Sequence, residues 1–202
     1  MRQGSTACVF LLATQTWSQH HWSQHKAAFL LRVLESLTDQ LAKLGVPLQI
    51  LDAPNFDDTT GHLLKFSREI GAKKLFFNRE YPVDEKVRDE RVHNTLEENG
   101  IECEPHDSFL VFPPNSILKD DGHPYSVFTP FKRKWLSKAE GEGLRSLPCP
   151  RPQQSRVLET KIPGEILSTR ANFGQNLWLG NHKHAGDLLE TFLNGKIDRY
   201  HN

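Results

Sequence analysis

The chain has no charge imbalance, few cysteines and no long apolar run, and each shortage removes a class of protein. Lys plus Arg and Asp plus Glu number 25 each among 202 residues, a formal net charge of zero. Bulk attraction to nucleic acid needs clustered Lys and Arg, so this segment lacks that drive. Three cysteines, Cys8, Cys103 and Cys149, are odd in number and widely spaced. They show neither the pairing of metal ligands nor a disulfide framework, and a reducing cytoplasm is the expected compartment. No apolar run approaches the roughly 18 residues of a membrane span. The start, MRQGSTACVFLLA, has a seven-residue apolar run and one Arg, too little for a signal peptide and better suited to a buried strand. Internal repeats are not evident.

What is present is strand–helix alternation. The length fits one good-sized domain, or one domain with an appendage. Residues 7–13 read as a short buried strand, followed by a polar loop rich in His and Trp, TQTWSQHHWSQH. Ser23 is a plausible N-cap for a helix with Leu30, Leu34, Leu37, Leu41 and Leu44 on one face and Gly45 as its stop. Residues 47–52 make a second strand. Asp57 or Asp58 can cap a short helix with Leu63, Phe66 and Ile70 on one side. Residues 73–78 form a third strand, 84–99 a helix, and 101–110 a fourth, interrupted strand. This order implies an α/β fold with a parallel sheet covered on both faces.

Two stretches carry most of the information. In 75–92, LFFNREYPVDEKVRDERV, an apolar run ends in a polar tip, a proline follows, and a charged helix begins near Asp84. That is a buried strand delivering side chains to the mouth of a sheet, where open α/β sheets bind ligands. In 125–136, YSVFTPFKRKWL, four aromatics crowd around a proline-fixed turn. Residues 139–176 hold Gly and Pro punctuation and little periodicity, a linker by composition. A last helix is expected over 184–194, with Ala185, Leu188, Leu189 and Phe192 on one side and no obvious partner for that face.

The segments ATQTWSQHHWSQHKAAFLL, KLGVPLQIL, LFFNREYPVDEKVRD, PYSVFTPFKRKWL and LLETFLNGKIDRYHN resemble, in that order, the antenna domain and interdomain linker of class I DNA photolyases and their cryptochrome relatives. The closest resemblance is to bacterial cyclobutane pyrimidine dimer photolyases with a folate antenna. It implies a doubly wound, Rossmann-like parallel sheet and three parts: an antenna domain over 1–138, a linker over 139–176, and over 177–202 the first helix of an FAD-binding helical domain. The family normally begins with a strand and loop of the type WFR-DLR-DN, which nothing before Ala7 matches. Met1 therefore aligns just before the family's second strand, and the expectation is a sheet without its first, central strand. The family's RDFP stretch and flavin phosphate loop would follow Asn202. The flavin, the electron-conducting tryptophans and the pocket for the flipped-out dimer belong to that later part. The segment alone is thus expected to be inactive, with no catalytic residue and no metal.

The resemblance also assigns residues. His20 matches a folate-contacting histidine. Asp84 and Glu85 match an Asn-Glu pair whose carboxylate takes the donor edge of a pterin through two parallel hydrogen bonds. Asp84 departs from the family's Asn, which leaves a deazaflavin or an empty pocket open beside methenyltetrahydrofolate. Tyr200 matches a tyrosine at the edge of the FAD phosphate site. Each residue has a plainer reading as well. His20 and His21 suit a solvated loop, and a zinc pair from His21 and His25 lacks a third ligand. Glu85 suits the first turn of a helix on dipole grounds and Asp84 an N-cap. Trp17, Trp22, Phe128 and Phe131 suit packing, and Lys132, Arg133 and Lys134 a solvated helix start. Damaged DNA would be met through the helical domain, with no membrane involved. Unpaired strand edges would favour self-association of the segment. A cryptochrome photoreceptor, or a non-enzymatic pterin- or nucleotide-binding α/β protein or remnant, are the alternatives.

Overall fold

The computed structural model describes residues 5–143, 147–154 and 179–200. The chain forms two units, Met1–Asn55 with Pro150–Asn202, and Phe56–Cys149.

In the first unit β1 (Cys8–Leu12) pairs in parallel with β2 (Leu48–Asp52), Cys8 opposite Leu48 and Leu12 opposite Asp52. A parallel pair needs a long crossover, supplied by α1 (Thr14–Gln19) and α2 (Gln24–Lys43). The Ser23 side chain caps α2, accepting from the Lys26 N–H at 3.2 Å. At the far end Gly45 takes a φ of 70°, and the Val46 N–H returns to the Leu41 carbonyl at 2.9 Å. Leu34 is then buried against Leu12, Leu48 and Ile50, with Phe10, Trp17, Leu30 and Leu41 around them. Burying one such side chain contributes about 1.5–3 kcal/mol.

Two expectations change here. Residues 14–19 are helical rather than loop, because the Trp17 N–H finds the Ala13 carbonyl at 2.9 Å while its ring packs on the core. Leu37, expected inside, is 37% exposed, and Ala28 and Leu31 are buried instead. The helix carries two apolar stripes, and Leu37 belongs to the second, with Phe29 and Val33.

In the second unit α3 (Phe56–Ile70) leads to β3 (Lys74–Asn78), α4 (Val83–Glu98) and β4 (Glu102–His106). β3 and β4 are parallel, Lys74 opposite Glu102 and Asn78 opposite His106. Leu96 of α4 is fully buried, with Val92, Leu63, Phe66 and Ile101 also inside. The N-cap of α4 is Pro82, so Asp84 is a first-turn residue and not the cap. α3 likewise begins at Phe56, which puts Asp57 and Asp58 in its first turn rather than at its cap.

β3 is not the buried strand its apolar run suggests: Phe76 is 57% exposed. Among the described residues the sheet is two strands wide, and the outward-facing row of β3 meets solvent. On that row Phe76 stacks on His106 at 6.1 Å, and Lys74 bridges Glu102 at 2.7 Å and Glu104 at 2.5 Å. Hydrogen bonds to Glu102 and then Glu104 raise the Lys74 pKa, and the bond from Lys74 lowers that of Glu104.

The fourth strand ends at His106, short of the expected 110. Further on, α5 (Phe128–Glu142) takes up the aromatic stretch, with Trp135 edge-on to Phe112 at 5.5 Å and Phe131 to Tyr125 at 6.2 Å. Lys132, Arg133 and Lys134 are exposed on it.

Among the described residues the strands form two parallel pairs, β1–β2 and β3–β4, and β1 and β3 are not paired with each other. The expected linker over 139–176 falls largely outside the described residues. Within it, Gln153 sits in the first unit as a fixed point. Its side-chain amide accepts from the Thr6 N–H at 2.9 Å and donates to the Thr6 carbonyl at 2.7 Å and the Gly45 carbonyl at 3.0 Å.

The last helix, α6 (His182–Gly195), is longer than expected at both ends. It is capped by the Asn181 side chain, which accepts from the His184 N–H at 2.8 Å, and is followed by a 3-10 turn, Ile197–Arg199. Its apolar face has a partial partner. Leu179, Ala185 and Leu188 share a groove with Phe29, Val33 and Leu37 of α2, while Leu189 and Leu193 stay about half exposed. Gly180 makes the approach to α2 possible. It has a φ of 66°, and a Cβ there would lie 2.8 Å from the Arg32 Cβ. Gly180→Ala is therefore expected to destabilise the first unit by about 1–3 kcal/mol through backbone strain and displacement of α6, read as a lower thermal midpoint. An unchanged midpoint would show that the contact is not needed.

Candidate functional site

The turn after β3 is where the second unit gathers its polar groups. Pairing of Asn78 with His106 brings the next residue on each strand together. The Arg79 N–H continues the ladder to the His106 carbonyl at 2.9 Å. Arg79 Nη1 then meets Asp107 Oδ2 at 2.9 Å, and the Tyr81 hydroxyl donates to Asp107 Oδ1 at 3.1 Å. Burial first, and then the bond to Asp107, push the Tyr81 pKa up.

A second knot fastens the turn to α4. Arg88 donates through Nη2 to Glu80 at 2.6 Å, and to Asp89 through Nη2 at 2.7 Å and Nε at 3.0 Å. Its guanidinium lies 4.8 Å from the Phe56 ring. Burial opposes its charge, but hydrogen bonds to Glu80 and Asp89 outweigh that and raise its pKa. The Glu80 N–H donates to Asp89 at 3.3 Å.

Beside these groups lies a cavity of about 510 Å³, lined among others by Arg79, Tyr81, Asp89, His93, Asp107 and Pro113. Its charged side chains are largely engaged with one another. They shape a wall that can hold a polar ligand edge more readily than they can exchange protons.

The residues singled out in the sequence fall in different places. Asp84, exposed, and Glu85, half-buried, share the first turn of α4, and the cavity lining includes neither. Neither side chain has a hydrogen-bond or ion-pair partner among the described residues. His20, exposed, occupies the C-cap of α1, its N–H donating to the Thr16 carbonyl at 3.0 Å. Close by, Trp17 and Trp22 stack at 4.8 Å and 5°, and the Lys26 ammonium sits 3.4 Å from the Trp22 ring centre. This supports the packing reading of both tryptophans. His21 has a φ of 53° and lies before α2, so the helical spacing needed for a His21–His25 zinc pair does not form. Tyr200 is 73% exposed, edge-on to Phe192 at 5.8 Å.

Sequence reading missed two groupings. The knots around Asp107 and Arg88 depend on strand register and on the turn's course. The other is His93, Glu97 and Cys103, whose ligand atoms lie within 4.8 Å of one another. A His and a Glu at i and i+4 on α4 were the available signal. Cys103 is six residues past Glu97, beyond the helix, and returns beside it only because β4 pairs with β3. Burial and the neighbouring Glu97 charge raise the Cys103 pKa.

The family model described as DNA photolyase matches residues 1–153. The deoxyribodipyrimidine photo-lyase of Vibrio cholerae is 33% identical over 131 residues, 65% of this chain and 28% of that protein. The Escherichia coli enzyme of the same name is 26% identical over 192 residues, 95% of this chain and 40% of its own. The chain thus spans well under half the length of these relatives. Among solved structures, a bacterial class III photolyase from Agrobacterium tumefaciens covers 96% of this chain and 40% of its own with a TM-score of 0.71 and 21% identity, a likeness of fold. The match of the family model over residues 1–153, three quarters of the chain, shows that the chain belongs to the DNA photolyase family.

Proposed function

We propose that this chain is the light-harvesting part of a light-driven DNA-repair lyase, with an antenna pigment held here and the flavin and lesion sites carried by other parts of the whole protein. The family match over 1–153 carries this reading. The parts proposed are an antenna domain over 1–138, a linker over 139–176 and the start of an FAD-binding helical domain over 177–202. Damaged DNA is the proposed substrate of the whole protein, and the cytoplasm its compartment. Among the described residues no helix is long and apolar enough to cross a membrane.

Glu85 suits a pigment's donor edge. Its carboxylate is half-buried at a helix start, and with no partner among the described residues it is available to accept two parallel hydrogen bonds. In this reading Glu85 receives the N–H and NH₂ groups of the pterin of methenyltetrahydrofolate and Asp84 flanks it, and the family resemblance assigns His20 to the folate as well. A deazaflavin is the other pigment considered. Tyr200 would border the FAD phosphate site. When bound, the pigment absorbs a photon and passes the excitation to the flavin. The chain's own residues hold and orient it and keep water from its ring edge.

Three outcomes test this. Purified and supplied with reduced flavin and dimer-containing DNA, the 202-residue polypeptide is expected to repair nothing under near-UV or blue light. Measured light-dependent repair would refute the division of labour. Methenyltetrahydrofolate is expected to bind weakly, and Glu85→Gln, which turns an acceptor oxygen into a donor, to cost about 1–3 kcal/mol. Unchanged affinity by fluorescence titration would leave Glu85 a helix-end charge only. Finally, among the described residues β1 and β3 each have one edge without a strand partner, and such edges invite association. Sedimentation is expected to show species beyond the monomer. A monodisperse monomer with strong amide protection at 10–12 and 75–77 would contradict this.

A further inference from the structure

α4 presents His93 and Glu97 one turn apart, and β4 brings Cys103 to the same place. One ligand atom from each lies within 4.8 Å of the others. Cys103 is buried, His93 half-buried and Glu97 exposed, so the group has a closed side and an open one. The carboxylate is already oriented: Glu97 Oε1 accepts from the Cys103 N–H at 2.6 Å, leaving Oε2 to another partner. Among the described residues the Cys103 thiol makes only a 3.7 Å contact, donating to the Ile101 carbonyl.

We propose that His93, Glu97 and Cys103 form a three-ligand site for a divalent transition-metal ion of the zinc class, with a fourth position open to water. One nitrogen, one oxygen and one sulfur suit a borderline-soft cation, whereas calcium and magnesium take oxygen alone. Thiolate and carboxylate together cancel the ion's charge, which a partly buried site requires. Metal–ligand bonds of about 2.0–2.3 Å set neighbouring ligand atoms roughly 3.3–3.8 Å apart in a tetrahedron. Closing from 4.8 Å needs movements of about one ångström, within reach of the two less buried side chains. On binding, the Cys103 proton goes to solvent and an S–metal bond replaces S–H. The site would pin the last turn of α4 to β4, and it does not depend on the pigment reading.

Cobalt(II) is the probe. Titrated into the metal-stripped 202-residue chain, it is expected to bind at one equivalent. Sulfur-to-cobalt charge-transfer absorption should appear in the near-ultraviolet, and zinc should displace it. His93→Ala and Cys103→Ala are each expected to weaken binding about tenfold or more, since even outer-shell partners of a metal site are worth 10–100-fold. Cys149→Ser should change nothing. Should Cys103→Ala fail to fold by circular dichroism, the less buried His93→Ala still decides. A missing charge-transfer band at stoichiometric cobalt overturns the proposal. So does a cobalt affinity that His93→Ala leaves unchanged, or a band that disappears with Cys149→Ser.

Discussion

Parallel strand pairing is the constraint on which the rest depends. Two parallel neighbours cannot be joined by a tight turn, so each pair here encloses a helical crossover, α1 and α2 between β1 and β2, and α4 between β3 and β4. The crossover must leave from the carboxyl end of the first strand, where ligands settle in open α/β sheets. In the first unit that departure carries His20 and the Trp17–Trp22 stack. In the second it carries Arg79 and Tyr81, then Asp84 and Glu85. The placement of the candidate residues follows from topology before any side chain is considered.

Electrostatics then decides how firmly each departure is held. Lys74 with Glu102 and Glu104 lies on an exposed strand row, where solvent screening leaves such pairs little net effect. Arg88 is different, its side chain only 18% exposed. Removing one partner from a fully buried pair costs about 3–5 kcal/mol, because a charge is left without compensation. Arg88, with some solvent access, stands below that and well above Lys74. The β3–α4 turn is therefore fixed by a charge held among its counter-charges, while the outer strand row is only decorated by them.

The elements were legible in the sequence wherever local signals sufficed. Ser23 and Gly45 marked the ends of α2, and apolar runs marked β1 and β3. What escaped was set by partners remote in the chain. Residues 14–19 looked like loop because their helix rests on the burial of Trp17 against β1 and β2. Leu37 looked interior because periodicity does not report that α2 has a second apolar stripe, covered in part by residues more than a hundred positions later. Phe76 looked buried because an apolar strand reads the same whether one face of its sheet is covered or both. At the site, Glu85 was readable as a first-turn carboxylate. Asp107, which organises Arg79 and Tyr81, was not, since its role comes from strand register.

Gln153 gives the molecule a property that its composition conceals. An amide side chain there imitates a peptide group and satisfies both the donor and the acceptor of Thr6, 147 positions away. The stretch from 6 to 153 therefore starts and finishes at a single point, like a cassette with both connectors on one side. Modules whose ends meet are well suited to transplantation into a host loop or to rejoining in a new order. Beyond the Gln153 N–H bond to the Leu44 carbonyl at 2.9 Å, the latch is one uncharged side chain: a carboxylate in its place would set an acceptor against the Thr6 and Gly45 carbonyls and loosen the connectors.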